Sequence, residues 1–130
     1  MIGFKVAPDG SRGRMEITAE GPRGDQSVLK DLYEAIGCRT VDVVRLAERL
    51  DMWLDDDGMY TQEVNRLATL VAWSFGYQAQ EYYGTVVFLG GANAAGDTIG
   101  LKEPAVKRLE RLTDALAREY RIKPEEEVQQ

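Results

Sequence analysis

The chemistry open to this chain is bounded first by the side chains it lacks. Its 130 residues include no histidine and a single cysteine, Cys38. An imidazole base, a histidine-activated nucleophile and a histidine-held metal are therefore out of reach. Carboxylates are the main acid–base groups that remain, and one run of three lies in Asp55-Asp56-Asp57-Gly58. A calcium loop of the EF-hand type needs ligands at alternate positions, glycine at the sixth and glutamate at the twelfth. Setting Gly58 sixth puts Trp53 first, where no ligand oxygen exists. A solvated hairpin turn is the simpler reading, with a weak Mg²⁺ or Ca²⁺ site completed by a partner's groups as the alternative.

A second candidate is the small-residue run from Gly90 to Gly96, which follows an apolar segment as phosphate-cradling loops do. It lacks the Gly-Lys-Ser/Thr ending of a P-loop and the immediate helix of a dinucleotide fingerprint, and Asp97 comes next. A flexible connector is the simpler reading, although backbone amides of such a loop can hold an anion without lysine. Asn65, Arg66 and Thr69 form a third group, expected beside the apolar stripe of a helix or facing outward. Asn65 either ties down the preceding turn or contacts a ligand. Tyr77, Tyr82 and Tyr83 form a polar-aromatic connector whose rings either cover the core edge or stack on a flat ligand.

These groups suggest one ligand face, on which Asn65 and Thr69 approach Gly90, Gly91 and Asn93, with Tyr82 and Tyr83 beside them. Such a face would gather amide donors and rings at the end of a buried strand. No catalytic residue, metal ligand or cofactor is assigned, because no acid–base pair is singled out by spacing.

The elements that must position these residues follow from periodicity. Ile2–Ala7 reads as a short strand and Met15–Ala19 as its hairpin partner, across the turn formers Pro8 to Gly13. After a second turn at residues 20–24 comes a helix with Val28, Leu29, Leu32, Tyr33 and Ile36 on one face, ended by Gly37. Residues 39–46 are β-like without a clean alternation, as in a central strand with charged ends. A turn at Ala47 to Leu50 lets Leu50–Leu54 pair back. Val64, Leu67, Ala68, Val71, Ala72 and Phe75 then form a wide helical stripe, with Thr61 as N-cap, Glu63 near the positive end of the dipole and Gly76 as terminator. Trp73 lies beside that stripe. Thr85–Leu89 is a buried strand, and 90–100 a loose loop. A last helix opens at Glu103-Pro104, carries Ala105, Leu109, Leu112, Leu116 and Tyr120 on one face, and ends near Arg118, Arg121 and Pro124.

The expected fold is α+β: one domain over residues 1–124, with a small, mostly antiparallel sheet, about three helices packed on it, and a frayed acidic tail at 125–130. Residues 39–46, 50–54 and 85–89 should share the sheet, with the first two helices packed on it.

Ser27 to Leu101 resembles the uncharacterised family known as domain of unknown function 3846, found in bacteria, plasmids and especially phages. The resemblance rests on Leu32-Tyr-Glu-Ala-Ile-Gly37, Val41-Asp-Val-Val44, Asp55-Asp-Asp-Gly58, Asn65 with Ala68-Thr69, and Gly84-Thr-Val-Val-Phe-Leu-Gly90, in that order. It covers a little over half the chain and leaves out the first 24 residues and the last helix. It implies a mobile-element setting, with no agreed activity and no catalytic residues.

Net charge at pH 7 is −6, which argues against nucleic acid as a general partner. The lone cysteine fits a reducing compartment, no run is long and apolar enough to span a bilayer, and the start lacks a secretory-signal pattern. The expected place is the cytoplasm, with no membrane partner. The function expected is that of a non-catalytic accessory protein of a phage or other mobile element, binding a host protein or small molecule stoichiometrically. Sequestration of a nucleotide-derived signal is the alternative, and a carboxylate-based enzyme a third. The stripe on the 103–121 helix also permits a homodimer.

Overall fold

A computed structural model describes residues 1–18, 24–78 and 80–122, with side chains of the first helix described from Val28 onward. The elements are β1 (Ile2–Val6), β2 (Arg12–Glu16), α1 (Gly24–Ile36), β3 (Val41–Ala47), β4 (Leu50–Asp55), α2 (Gly58–Thr61), α3 (Arg66–Ser74), β5 (Val86–Leu89) and α4 (Glu103–Glu119). The strands form a five-stranded sheet in the order β2-β1-β5-β4-β3, antiparallel throughout. The protein is α+β.

The middle strand is β5, whose four residues are all buried. Alternation along it divides the core between the two faces of the sheet. Val86 and Phe88 join Phe4, Val6, Met52 and Leu54 beneath α3 and α4. Val87 and Leu89 join Val28, Leu32 and Ile36 of α1 on the other face. Pairing of Phe4 with Phe88, and of Phe88 with Met52, lays a line of large side chains across the α3/α4 side. The three strands expected to share the sheet do so, with α1 and α3 on opposite faces.

Several expectations need correction. The first hairpin pairs three residues earlier than periodicity implies. Asp9 Oδ1 accepts from the Ser11 amide at 2.9 Å and its hydroxyl at 2.7 Å, which holds the Asp9 carboxyl below the usual range. With Gly10 at φ 92°, the turn closes so tightly that Arg12 and Gly13 already pair with Val6 and Lys5. Ala19, the turn at 20–23, Pro124 and the tail at 125–130 lie outside the described residues.

The strand read as central, β3, is an edge strand. Its mixed alternation reflects a largely exposed ribbon rather than one buried on both faces. The Asp56 amide donates to the Thr40 carbonyl, so even-numbered residues carry the ladder to β4 and odd-numbered amides turn to the open edge. One of these, Val43 N–H, is covered by the Asp42 carboxylate at 2.8 Å. A charged side chain folded over an edge amide discourages strand addition by other chains.

The second long helix starts later than expected. Thr61 ends the one-turn helix α2, and Gln62 is extended at φ −123°, ψ 159°. Val64 bridges Tyr83 before Asn65 caps α3. Thr61 is therefore not the N-cap, and Val64 and Glu63 precede the helix. The centre of the stripe holds: Leu67, Ala68, Val71 and Ala72 are buried. Asp55-Asp56-Asp57-Gly58 leads into α2 rather than reversing the chain as a hairpin turn. In α4 the innermost residues are Val106, Leu109, Thr113 and Ala117, while Ala105, Leu112 and Leu116 pack partly buried and Tyr120 is exposed. The inner face is thus rotated from the expected one and covers the sheet within a single chain.

Ion pairs fix α4 to the first hairpin. Arg12 reaches Asp114 at 2.8 Å, and Arg14 reaches Glu103 at 2.7 Å and Glu110 at 3.3 Å. Arg14 in turn holds the Glu103 carboxyl below the usual range. These pairs are exposed, so they serve registry more than stability.

Val71 is fully buried, and Val71→Asp would place an unpaired carboxylate between α3 and the sheet. The expected loss is about 3 kcal/mol or more, read as a lower midpoint in urea. An unchanged midpoint would refute the assignment of α3 to the core.

Candidate functional site

The polar residues singled out by the sequence resolve into two groups at opposite ends of β5. At its start lie Asn65, Thr69 and Tyr82. The Asn65 Oδ1 accepts from the Ala68 amide at 2.9 Å and so caps α3. Its Nδ2 donates to the carbonyls of Gly84 at 2.8 Å and Val6 at 3.0 Å. The Asn65 amide donates to Tyr82 O at 2.8 Å. Thr69 Oγ1 donates to Asn65 O at 2.7 Å and accepts from the Tyr82 amide at 2.9 Å. Asn65 and Thr69 are buried, contrary to the expectation that they flank the stripe or face outward. Tyr82 is buried too, and burial, followed by the neighbouring Tyr77, pushes its phenol up. Tyr83 is half-buried. The polar atoms of Asn65 are thus used within the fold, which is the turn-tying role rather than ligand contact.

Gly90, Gly91 and Asn93 lie at the other end of β5, so the single face expected to unite them with Asn65, Thr69, Tyr82 and Tyr83 does not form. Nor is the segment a loose loop. Gly90 N–H donates to Ile99 O, Ile99 N–H to Gly91 O, and Asn93 N–H to Asp97 O, which makes a hairpin. Its tip is an Asx turn in which Asn93 Oδ1 accepts from Ala95 and Asp97. A Cβ at Gly90 would stand 2.3 Å from the Gly100 carbonyl oxygen, so glycine is required there by close approach of two backbones.

This hairpin and the β3–β4 turn enclose a basic cleft at the start of α4. One cavity of about 410 Å³ is lined by Arg49, Lys102 and Arg108 together with Gly90, Ile99 and Pro104. A second, of about 770 Å³, shares Arg49, Ile99 and Lys102 with it and adds Arg45, Glu48 and Asn93. Arg45 is paired with the buried Asp51 at 3.2 Å. Among the described residues no carboxylate lies within ion-pair distance of Arg49, Lys102 or Arg108. Arg49 has φ 63°, an uncommon value outside glycine. Gly91 lies beside it, its ideal Cβ 3.4 Å from Arg49 Cα. Lys102 is the N-cap of α4, so the cleft lies at a helix start, where the backbone field favours an anion. Sequence reasoning missed these cations because positions 45, 49, 102 and 108 share no local motif. The β3–β4 hairpin and the start of α4 bring them together.

The acidic run is equally structural at its base. Buried Asp55 accepts from the Asp57 amide at 2.9 Å and Gln62 Nε2 at 3.1 Å. Among the described residues no group of three carboxylates or thiolates is placed to hold a metal ion. Burial, then the charge of Asp55, pushes the Cys38 thiol up, which makes it a poorer nucleophile than a free thiol.

A family model described as Domain of unknown function (DUF3846) matches residues 4–114. The chain belongs to the DUF3846 family. The DUF3846 match begins in β1 and ends within α4, so it takes in the first hairpin and most of the last helix, both expected to lie outside the resemblance. It also spans every residue of the basic cleft. No curated protein and no solved structure matches the chain. Among the described residues no helix is long and apolar enough to cross a membrane.

Two substitutions test the two ends of β5. Asn65→Ala removes a helix cap and leaves two buried carbonyls without a donor, for an expected loss of about 2–4 kcal/mol. Gly90→Ala should cost about 1–3 kcal/mol through backbone displacement, while Gly13→Ala, which meets nothing within 4 Å, should be near neutral. Chemical denaturation of the three variants checks the order, and equal midpoints for Gly90→Ala and Gly13→Ala would contradict the backbone crossing.

Proposed function

We propose that this protein is a non-catalytic binding protein, an accessory factor of a phage or other mobile element, which holds a small phosphate-bearing molecule stoichiometrically in the basic cleft. The observation that carries this reading is the convergence of Arg49, Lys102 and Arg108 on one cavity in a chain whose net charge is −6. Cations gathered in one cleft of an otherwise acidic protein concentrate an anion at that place and repel it elsewhere. Arginine offers a planar fork for phosphate oxygens and lysine a point charge. The wall of Ile99, Pro104 and Ala105 adds apolar contact for a ligand body larger than phosphate itself. Nucleotides combine these properties, which supports sequestration of a nucleotide-derived signal as the more specific form of the proposal.

Calorimetry with pyrophosphate and a panel of linear and cyclic nucleotides tests it. One-to-one binding that weakens with added salt is expected. Arg108→Ala and Arg49→Gly should each weaken binding about tenfold, roughly 1.4 kcal/mol. Glycine is chosen at position 49 because it accepts the positive φ without strain. Heat from none of the panel, or binding indifferent to both substitutions, would overturn the anion reading. Multiple turnovers of any bound nucleotide would overturn the non-catalytic part.

A further inference from the structure

The opposite end of the β3–β4 hairpin carries the reverse charge and an apolar projection. Met59 is 61% exposed and Tyr60 81% exposed on the single turn of α2. The turn is anchored from beneath. Gly58 beneath it is buried, and a Cβ there would come 3.1 Å from the Tyr83 carbonyl oxygen. Gln62 N–H closes on Gly58 O at 2.8 Å, and the buried Asp55 carboxylate anchors both flanks through Asp57 and Gln62. The fold thus commits a buried charge and a close backbone contact to holding two large side chains in solvent. Around them, residues 55–65 carry Asp55, Asp56, Asp57 and Glu63 and no lysine or arginine. A cavity of about 220 Å³ beside the projection is lined by Asp42, Asp56, Met59, Glu81 and Tyr83, among others. Arg39, next to the Thr40 carbonyl that pairs with Asp56, stands at the margin, while Arg66 reaches the Tyr120 carbonyl at 3.3 Å.

We infer that this end is a docking surface for a cationic segment of a partner protein, one that carries arginine or lysine beside apolar side chains. Charge complementarity selects the occupant. The carboxylate collar repels nucleic acid and anionic lipid, and attracts guanidinium or ammonium groups. The cavity sets carboxylates beside aromatic rings, an arrangement that takes a cation by ion pairing and by contact with the ring face. Met59 and Tyr60 need an apolar counterpart, which a protein segment supplies and a small polyamine does not. Tyrosine and methionine are residue types enriched at protein interfaces. This surface is separate from the basic cleft, and its failure would leave the cleft proposal standing.

Fluorescence anisotropy on the full chain tests it with a short labelled peptide of alternating arginine and leucine. The expected result is binding that weakens about tenfold in the double variant Met59→Ser/Tyr60→Ser. A similar loss is expected in Asp56→Asn/Glu81→Gln. Glu119→Gln, an exposed carboxylate on α4, should leave affinity unchanged. All the substituted positions are solvent-facing, and equal melting temperatures confirm that the variants fold. Equal weakening by Glu119→Gln, or none in the Met59/Tyr60 variant, would reduce the effect to diffuse attraction and overturn the inference. Spermine bound as tightly as the peptide would overturn it too, by identifying a small-cation site.

Discussion

The Asn65 carboxamide is where three distant stretches of chain are held to one another. The paired part of β1 and β5 ends at Val6 and Val86, and just beyond it the carbonyls of Val6 and Gly84 both point at Asn65 Nδ2. Inside a protein an unmet carbonyl is costly, so one side chain settles two such groups while its oxygen starts α3. The main chain at the same residue bonds Tyr82 and Thr69. Where α3 begins, how it lies over Phe88, and therefore where α4 packs against α3, all follow from this buried point.

Much of the fold was readable because burial writes itself as period. The stripe of α3 around Leu67, Ala68, Val71 and Ala72, the buried run of β5 and the pairing of β3 with β4 needed only spacing and turn residues. What could not be read was set by contacts across the chain. Val64 has the right spacing for a helix, yet a bridge to Tyr83 takes it into an extended conformation. Thr61 has the right chemistry for a cap, but the turn that would need it ends there. Leu112 and Leu116 promise an inner face in α4, whereas α4, paired to the first hairpin through Arg12 and Arg14, turns Val106, Thr113 and Ala117 inward.

The candidate site was less readable still, for a related reason. Polar residues such as Asn65 and Thr69 look like ligand groups in a sequence, but inside a fold they are the usual means of satisfying backbone atoms where elements meet. The cations that form the cleft look like surface solubility until the packing of α4 beside the β3–β4 hairpin places positions 45, 49, 102 and 108 around one cleft. The result is a polar molecule along β4: arginines and Lys102 beyond its first residue, carboxylates beyond its last. A net charge of −6 averages over this division and hides it.

The strand order carries a consequence for how the molecule comes to be. The two hairpins β1–β2 and β3–β4 are local in sequence and form from neighbouring residues. The strand that joins them, β5, is made last and takes the central place. Until it arrives each hairpin keeps an inner edge open and an apolar face uncovered, so assembly waits on contacts of long sequence separation, which slow folding. During synthesis both hairpins emerge well before the segment that closes them. Assembly is therefore an insertion rather than a growth from one end, and the open pair of edges awaiting β5 is the chain's most aggregation-prone moment.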